Sequence, residues 1–183
     1  MESSPPPLPS DLPTSLRQVW ESIQKNSSPA PEDKPLELFV GDWRVRAEQD
    51  LLAIGPQTVA IGEAESRLIL GGKTAEFRGF TNLEGMTYLF SLLLTFDRYH
   101  RCYRLIQHDN FAGTVVEFRG DWDGTKKQFV MEGMVLNPEG LLAARIRFRR
   151  VDDDHLLFEL QVRQGSSGRL TTVQQVQFNR LQA

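Results

Sequence analysis

Four side chains capable of chemistry fall close together with one parity: His100, Cys102, Arg104 and His108 take the even positions of a stretch whose odd positions include Tyr103 and Leu105. On an extended strand they share a face. Arginines beside Cys102 would lower its thiol pKa, and His100 would then be the base of a nucleophilic pair. A lone cysteine is more often inert, however, and Tyr103 and Leu105 make the opposite face a credible core. The same histidines give only a weak zinc or haem pattern, since no cysteine or carboxylate stands at ligand spacing.

The other motifs read as structure. Gly72-Lys73-Thr74 imitates the end of a phosphate-binding loop, but Arg67 occupies the position that requires glycine and a strand pattern follows where a helix is needed. The two glycines are expected to allow a tight turn or bend. Asp152-Asp153-Asp154-His155 lacks the longer register and downstream glutamate of a calcium loop, so a solvated turn is expected. Glu63 and Glu65 could form an acid/base pair, but Arg67 continues their face as a charge ladder. Arg145, Arg147, Arg149 and Arg150 are the densest positive run. Across a hairpin closed at Asp152 to Asp154, Arg147 falls near Glu159, which makes cross-strand pairing the default and an anion-binding inner face the alternative. No catalytic residue, metal site or cofactor is assigned.

Composition sets the frame for these groups. The chain has 183 residues and a net charge of −3, which argues against a nucleic-acid partner. Its single cysteine excludes an intramolecular disulfide. The start, Met1-Glu2-Ser3-Ser4-Pro5, has no secretory pattern, and the most apolar window, Tyr88 to Phe96, is far short of the ~20 residues of a spanning helix. A cytoplasmic location is expected, and the oligomeric state is open. All 14 glycines and all 11 phenylalanines lie at or beyond residue 39, whereas most prolines precede residue 36. Residues 1–35 are therefore read as a proline-rich arm and residues 36–183 as the domain.

Within the arm, Leu16, Val19, Trp20 and Ile23 fall at helical spacing, predicting a helix over about 15–25 that opens on a Ser15/Gln18 capping box and lays its apolar stripe on the domain. From residue 36 onward the period is two. Strands are predicted at about 38–49, 57–70, 74–81, 87–96, 101–108, 113–122, 127–136, 141–150, 155–164 and 170–181. Turn residues such as Asp123-Gly124, Asn137-Pro138-Glu139-Gly140 and Gly165-Ser166-Ser167-Gly168 separate them, so neighbours in sequence should pair antiparallel. Leu142, Ala144, Ile146 and Phe148 oppose Arg145, Arg147 and Arg149, giving one dry and one wet face. With no helix to cover the dry face, the sheet must cover itself. Ten hairpin-linked strands favour an all-β, up-and-down antiparallel barrel preceded by one short helix.

Several motifs occur in order: Leu36-x-x-Phe39-x-Gly41-x-Trp43, Arg67-Leu68-Ile69-Leu70-Gly71-Gly72-Lys73, Thr95-Phe96-Asp97 with Tyr103 and Asp109-Asn110, and Gly120-x-Trp122-Asp123. Over about residues 29–181 the chain resembles the bacterial family catalogued as domain of unknown function 1579. The resemblance implies a lipocalin-like, calycin-type barrel and no particular activity. The Gly-x-Trp opening is also similar to that of true lipocalins, which implies that Trp43 closes one barrel end against Arg180. Gln107 and His108 depart from the family, where an aromatic and an aliphatic residue are expected.

Phe77, Phe90, Phe96, Phe118, Trp122, Phe148 and Phe158 lie on the apolar faces of their strands. With Tyr103 and His108 they are the expected lining of an interior cavity, the two polar groups orienting a small apolar or amphipathic ligand. The alternatives are a packed barrel used as an interaction module and a small barrel enzyme of the cyclase, isomerase or chromophore-lyase kind.

Overall fold

The computed structural model describes residues 13–27, 29–49, 58–110, 115–137, 140–163 and 168–182. Helix α1 (Thr14–Ser27) precedes a 3₁₀ turn at Pro31–Asp33 and a one-turn helix, α2 (Lys34–Glu37). Ten strands follow: β1 (Gly41–Gln49), β2 (Thr58–Ile69), β3 (Thr74–Leu83), β4 (Met86–Asp97), β5 (Cys102–Asp109), β6 (Val115–Asp123), β7 (Gln128–Asn137), β8 (Gly140–Arg150), β9 (His155–Arg163) and β10 (Leu170–Arg180). Each pairs antiparallel with its sequence neighbours, and β1 pairs with β10 to close the barrel. Closure leaves no strand edge exposed.

Alternation decides which side chains enter. On β8, Ala144, Ile146 and Phe148 are buried, while Arg145 donates outward to Glu132 at 2.6 Å and Arg147 stands in register with Glu159. The anion-binding inner face is thereby lost as an alternative, because Arg145 and Arg147 lie on the outer wall and Arg150, on the buried parity, donates to the Leu38 carbonyl. Turn chemistry supplies the reversals. Asp123 Oδ1 accepts from the amides of Thr125 and Lys126, and Gly71 and Gly72 hold φ of 68° and 85° in the β2–β3 turn. The turns expected at Asn137–Gly140 and Gly165–Gly168 fall partly outside the described residues.

Two expectations change. β1 starts at Gly41 rather than residue 38, because the amides of Leu38, Phe39 and Val40 donate back to the carbonyls of Pro35, Leu36 and Glu37 and continue the α2 turn. Helix α1 begins at Thr14, the Arg17 amide reaching Pro13, but its stripe is covered only in part: Leu16, Val19 and Ile23 are each more than half exposed, while Trp20 is half-buried with its Nε1 shielded from solvent. The barrel end nearest in sequence is already occupied by Leu36 and Phe39, both fully buried.

That occupied end is a plug built from residues 30–40. Phe39 packs 4.7 Å from Phe148, 5.2 Å from Phe129 and edge-on to Trp122 at 6.1 Å. The two Phe-x-Gly-Asp-Trp segments, Phe39–Trp43 and Phe118–Trp122, thus meet at one end of the barrel. Asp33, almost wholly buried, accepts from the Ala30 amide and pairs with Arg98 at 2.9 Å. Tyr103 donates to the Glu32 carbonyl, Arg150 to that of Leu38 and Arg180 to that of Val40. Each bond satisfies a polar group that the plug would otherwise strand. Beneath it, the Arg180 guanidinium lies 4.4 Å from the centre of the buried Trp43 ring, whose indole N–H donates to Ser66 at 2.9 Å. Ser66 Oγ also accepts from the Gly41 amide and donates to the Phe39 carbonyl.

Candidate functional site

Among the described residues, the barrel is packed at the plug end and leaves an opening toward the other end. Next to the plug, Phe77, Phe118, Phe129 and Phe148 are fully buried, and Phe77 and Phe148 sit 5.3 Å apart. Toward the far end the described side chains leave space between them. Val45, Ala47, Thr81, Tyr88, Phe90, Leu92, Gln107, Phe158, Gln174, Val176 and Phe178 line an opening of about 40 Å³ that a water-sized sphere can enter. Pockets that enclose whole drug-sized ligands are roughly 300–1,000 Å³, so this one suits a slim group.

Small residues on β1 and β3 shape this end of the barrel. Ala47 faces it from β1, and on β3 Gly79 lets the Phe90 ring lie where a side chain would stand: a Cβ there would come 2.7 Å from the ring. Polar groups converge on one side. Tyr88 donates to Asp109 Oδ2 at 3.0 Å and accepts from Gln107 Nε2 at 3.3 Å. Burial first, then the Asp109 charge, pushes the Tyr88 phenol above the ordinary tyrosine range, so it stays a protonated donor at neutral pH.

Of the nine residues expected to line a cavity, Phe90 and Phe158 do so here. Phe77, Phe118 and Phe148 lie below in the packed core. Phe96, Tyr103 and Trp122 gather near the plug, with Tyr103 5.0 Å from Phe96 and 4.8 Å from Phe129. The Tyr103 hydroxyl is committed to Glu32, and burial, with the charges of Glu32, Asp33 and Asp121, pushes its pKa up to about 12. His108 is exposed: the parity that brings Tyr103, Leu105 and Gln107 inside turns it outward. Tyr88, Gln107, Gln174 and Phe178 were not among the expected lining residues. Tyr88 shares parity with Phe90, and Gln107 with Leu105, which is the signal that would have found them.

The remaining candidates sit outside the barrel. His100 belongs to the turn before β5, where its Nδ1 lies 2.8 Å from Asp97 Oδ2, and no described hydrogen bond joins it to Cys102. Glu65 and Arg67 pair with each other in an exposed ladder. Arg104 meets Glu117 through two bonds of 2.8 and 2.9 Å, and Arg119 adds a third.

Hydrogen bonds from Arg104 and then Arg119 hold the Glu117 carboxyl at about 2, below its ordinary 4.5, and backbone and side-chain bonds from His100 hold Asp97 at about 2. A carboxylate with a depressed folded-state pKa stabilises the fold above its unfolded pKa and loses that contribution as pH falls through the folded value. Stability is therefore expected to drop between about pH 4.5 and pH 2. Urea midpoints measured across that range should fall less steeply in Glu117→Gln than in the unaltered chain; equal slopes would remove Glu117 from the account.

Among solved structures, the fold is similar to Rv2717c from M. tuberculosis, with a TM-score of 0.61 at 18% identity over 84% of this chain and 99% of that one. It is also similar to the S-type phycobiliprotein lyase CPES from Guillardia theta, with a TM-score of 0.55 at 12% identity over 85% of this chain and 99% of that one. At these identities the likeness is one of fold. No curated protein matches the chain. Residues 28–180 match the family described as Protein of unknown function (DUF1579).

Proposed function

The chain belongs to the DUF1579 family, and on that premise we propose that it is a binding protein that holds a small apolar or amphipathic molecule in the open half of its barrel without catalysis. The observation that carries this reading is the contrast between the two ends. One is sealed by ring packing and by hydrogen bonds to the plug, while the described residues of the other surround a largely apolar opening with convergent polar groups at one side. Such a combination is the usual form of a small-molecule site. In this reading Phe90 and Phe158 supply apolar contact, Phe77, Phe118 and Phe148 form the floor, Trp43 and Arg180 close the base, and Phe96, Tyr103 and Trp122 brace the plug. The reading also takes the protein as bacterial and cytoplasmic, with no nucleic-acid partner. No helix among the described residues is long and apolar enough to cross a membrane.

The modest volume of the opening, with Leu16, Val19 and Ile23 exposed on α1, favours a second reading: a packed barrel used as an interaction module. Native mass spectrometry of protein purified from its own cells separates the two. The binding reading expects a small molecule that stays bound in the native spectrum and leaves on denaturation. The bare chain mass in every preparation would favour the packed barrel.

A further inference from the structure

We propose that the pocket selects the polar end of its ligand, accepting an uncharged or cationic hydrogen-bond donor such as an alcohol or an amine and discriminating against a carboxylate. This rests on the binding reading above and specifies the ligand class.

Tyr88 has one proton, and it goes to Asp109, whose ionised carboxylate can only accept. Gln107 must therefore present one N–H to the Tyr88 oxygen, which fixes its amide orientation and leaves its carbonyl oxygen as an acceptor and its second N–H as a neutral donor. The pocket thus holds an acceptor with a negative charge two hydrogen bonds behind it.

Among the described lining residues no cation offsets this charge. The polar members of the described lining are Thr81, Tyr88, Gln107 and Gln174, and none is Lys or Arg. Arg163 and Arg169, on either side of the β9–β10 connection, are exposed and do not line the opening. Arg98, Arg150 and Arg180 act at the plug. A carboxylate entering head-first would find only neutral N–H and O–H donors in the described lining and would meet the Asp109 field with no counter-charge there, whereas an ammonium or hydroxyl would find an acceptor backed by that field.

The test uses three ligands with the same six-carbon tail, 1-hexanol, hexylamine and hexanoate, titrated at pH 7 into the full chain while the methyl NMR signals of Val45, Ala47 and Val176 are followed. The alcohol and the amine are expected to shift these signals to saturation, with hexanoate at least about tenfold weaker. In Asp109→Asn the amine should weaken and hexanoate should gain. Hexanoate binding as tightly as hexanol to the unaltered chain overturns the selectivity and leaves the binding reading standing. Absence of pocket shifts with all three overturns the binding reading, and the selectivity with it. The unaltered chain alone decides both, so the proposal does not depend on the variant folding.

Discussion

Alanine in place of Phe39 is expected to lower the unfolding free energy by about 3–5 kcal/mol, the range for truncating a fully buried phenylalanine. Domains of this size are stable by only about 5–15 kcal/mol, so the loss would be a large share of the total. The magnitude follows from position. Phe39 is fully buried and touches three rings, Trp122, Phe129 and Phe148, which come from β6, β7 and β8. Its own carbonyl is held by Ser66 and those of Leu38 and Val40 by Arg150 and Arg180, so the plug cannot readily collapse into the void. Urea unfolding followed by circular dichroism measures the change. A loss below about 1 kcal/mol would mean that the plug rests on the barrel without completing its core.

The barrel itself was legible in the sequence because its signals are local. The alternation of Leu142, Ala144, Ile146 and Phe148 with Arg145, Arg147 and Arg149 identifies a strand and its dry face without reference to any other residue. The Asp123 and Asp152 turns were equally plain, since these carboxylates cap amides only two or three residues away. The plug was not legible. Helix α2 is a single turn with a proline in it, too short for a periodic pattern, and Leu38 to Val40 happen to continue the alternation of β1. What holds residues 30–40 in place lies far along the chain, at Arg98, Tyr103, Arg150 and Arg180.

The site was legible only in part for a related reason. Parity gives the side of the sheet but not the depth along the barrel axis. Phe77 and Phe90 both point inward from adjacent strands, yet Phe77 is in the packed core and Phe90 lines the opening. Depth depends on strand tilt and on where the plug stops, and neither is written in any one strand. Gln107 and His108 show the second difficulty. A polar residue on the inner face breaks the pattern, and the histidine beside it then looks like the residue that faces in.

Filling the opening should remove its function while leaving the fold. Leucine in place of Ala47 places three more carbon atoms beside Val45, Phe90 and Val176, in space that is empty and bounded by apolar walls. Because the added atoms enter a void rather than a packed layer, stability should change by less than about 2 kcal/mol, toward the low end for overpacked cores. Binding should suffer far more, since the ligand's tail and the new side chain claim the same volume. A loss of at least about thirtyfold, equivalent to roughly 2 kcal/mol, is expected. Phe39→Ala provides the opposite contrast, with a large effect on stability and little on the affinity of any chain that remains folded, because the two ends of the barrel are separated by the Phe77–Phe148 layer.

The most direct measurement of the account is the dissociation constant of 1-hexanol for the unaltered chain and for Ala47→Leu, read from the methyl signals of Val45 and Val176. Saturable shifts in the first, with at least about thirtyfold weaker binding in a folded second, are the predicted result. Equal affinity in both, or no shift in either, would contradict a ligand site in the open half of the barrel.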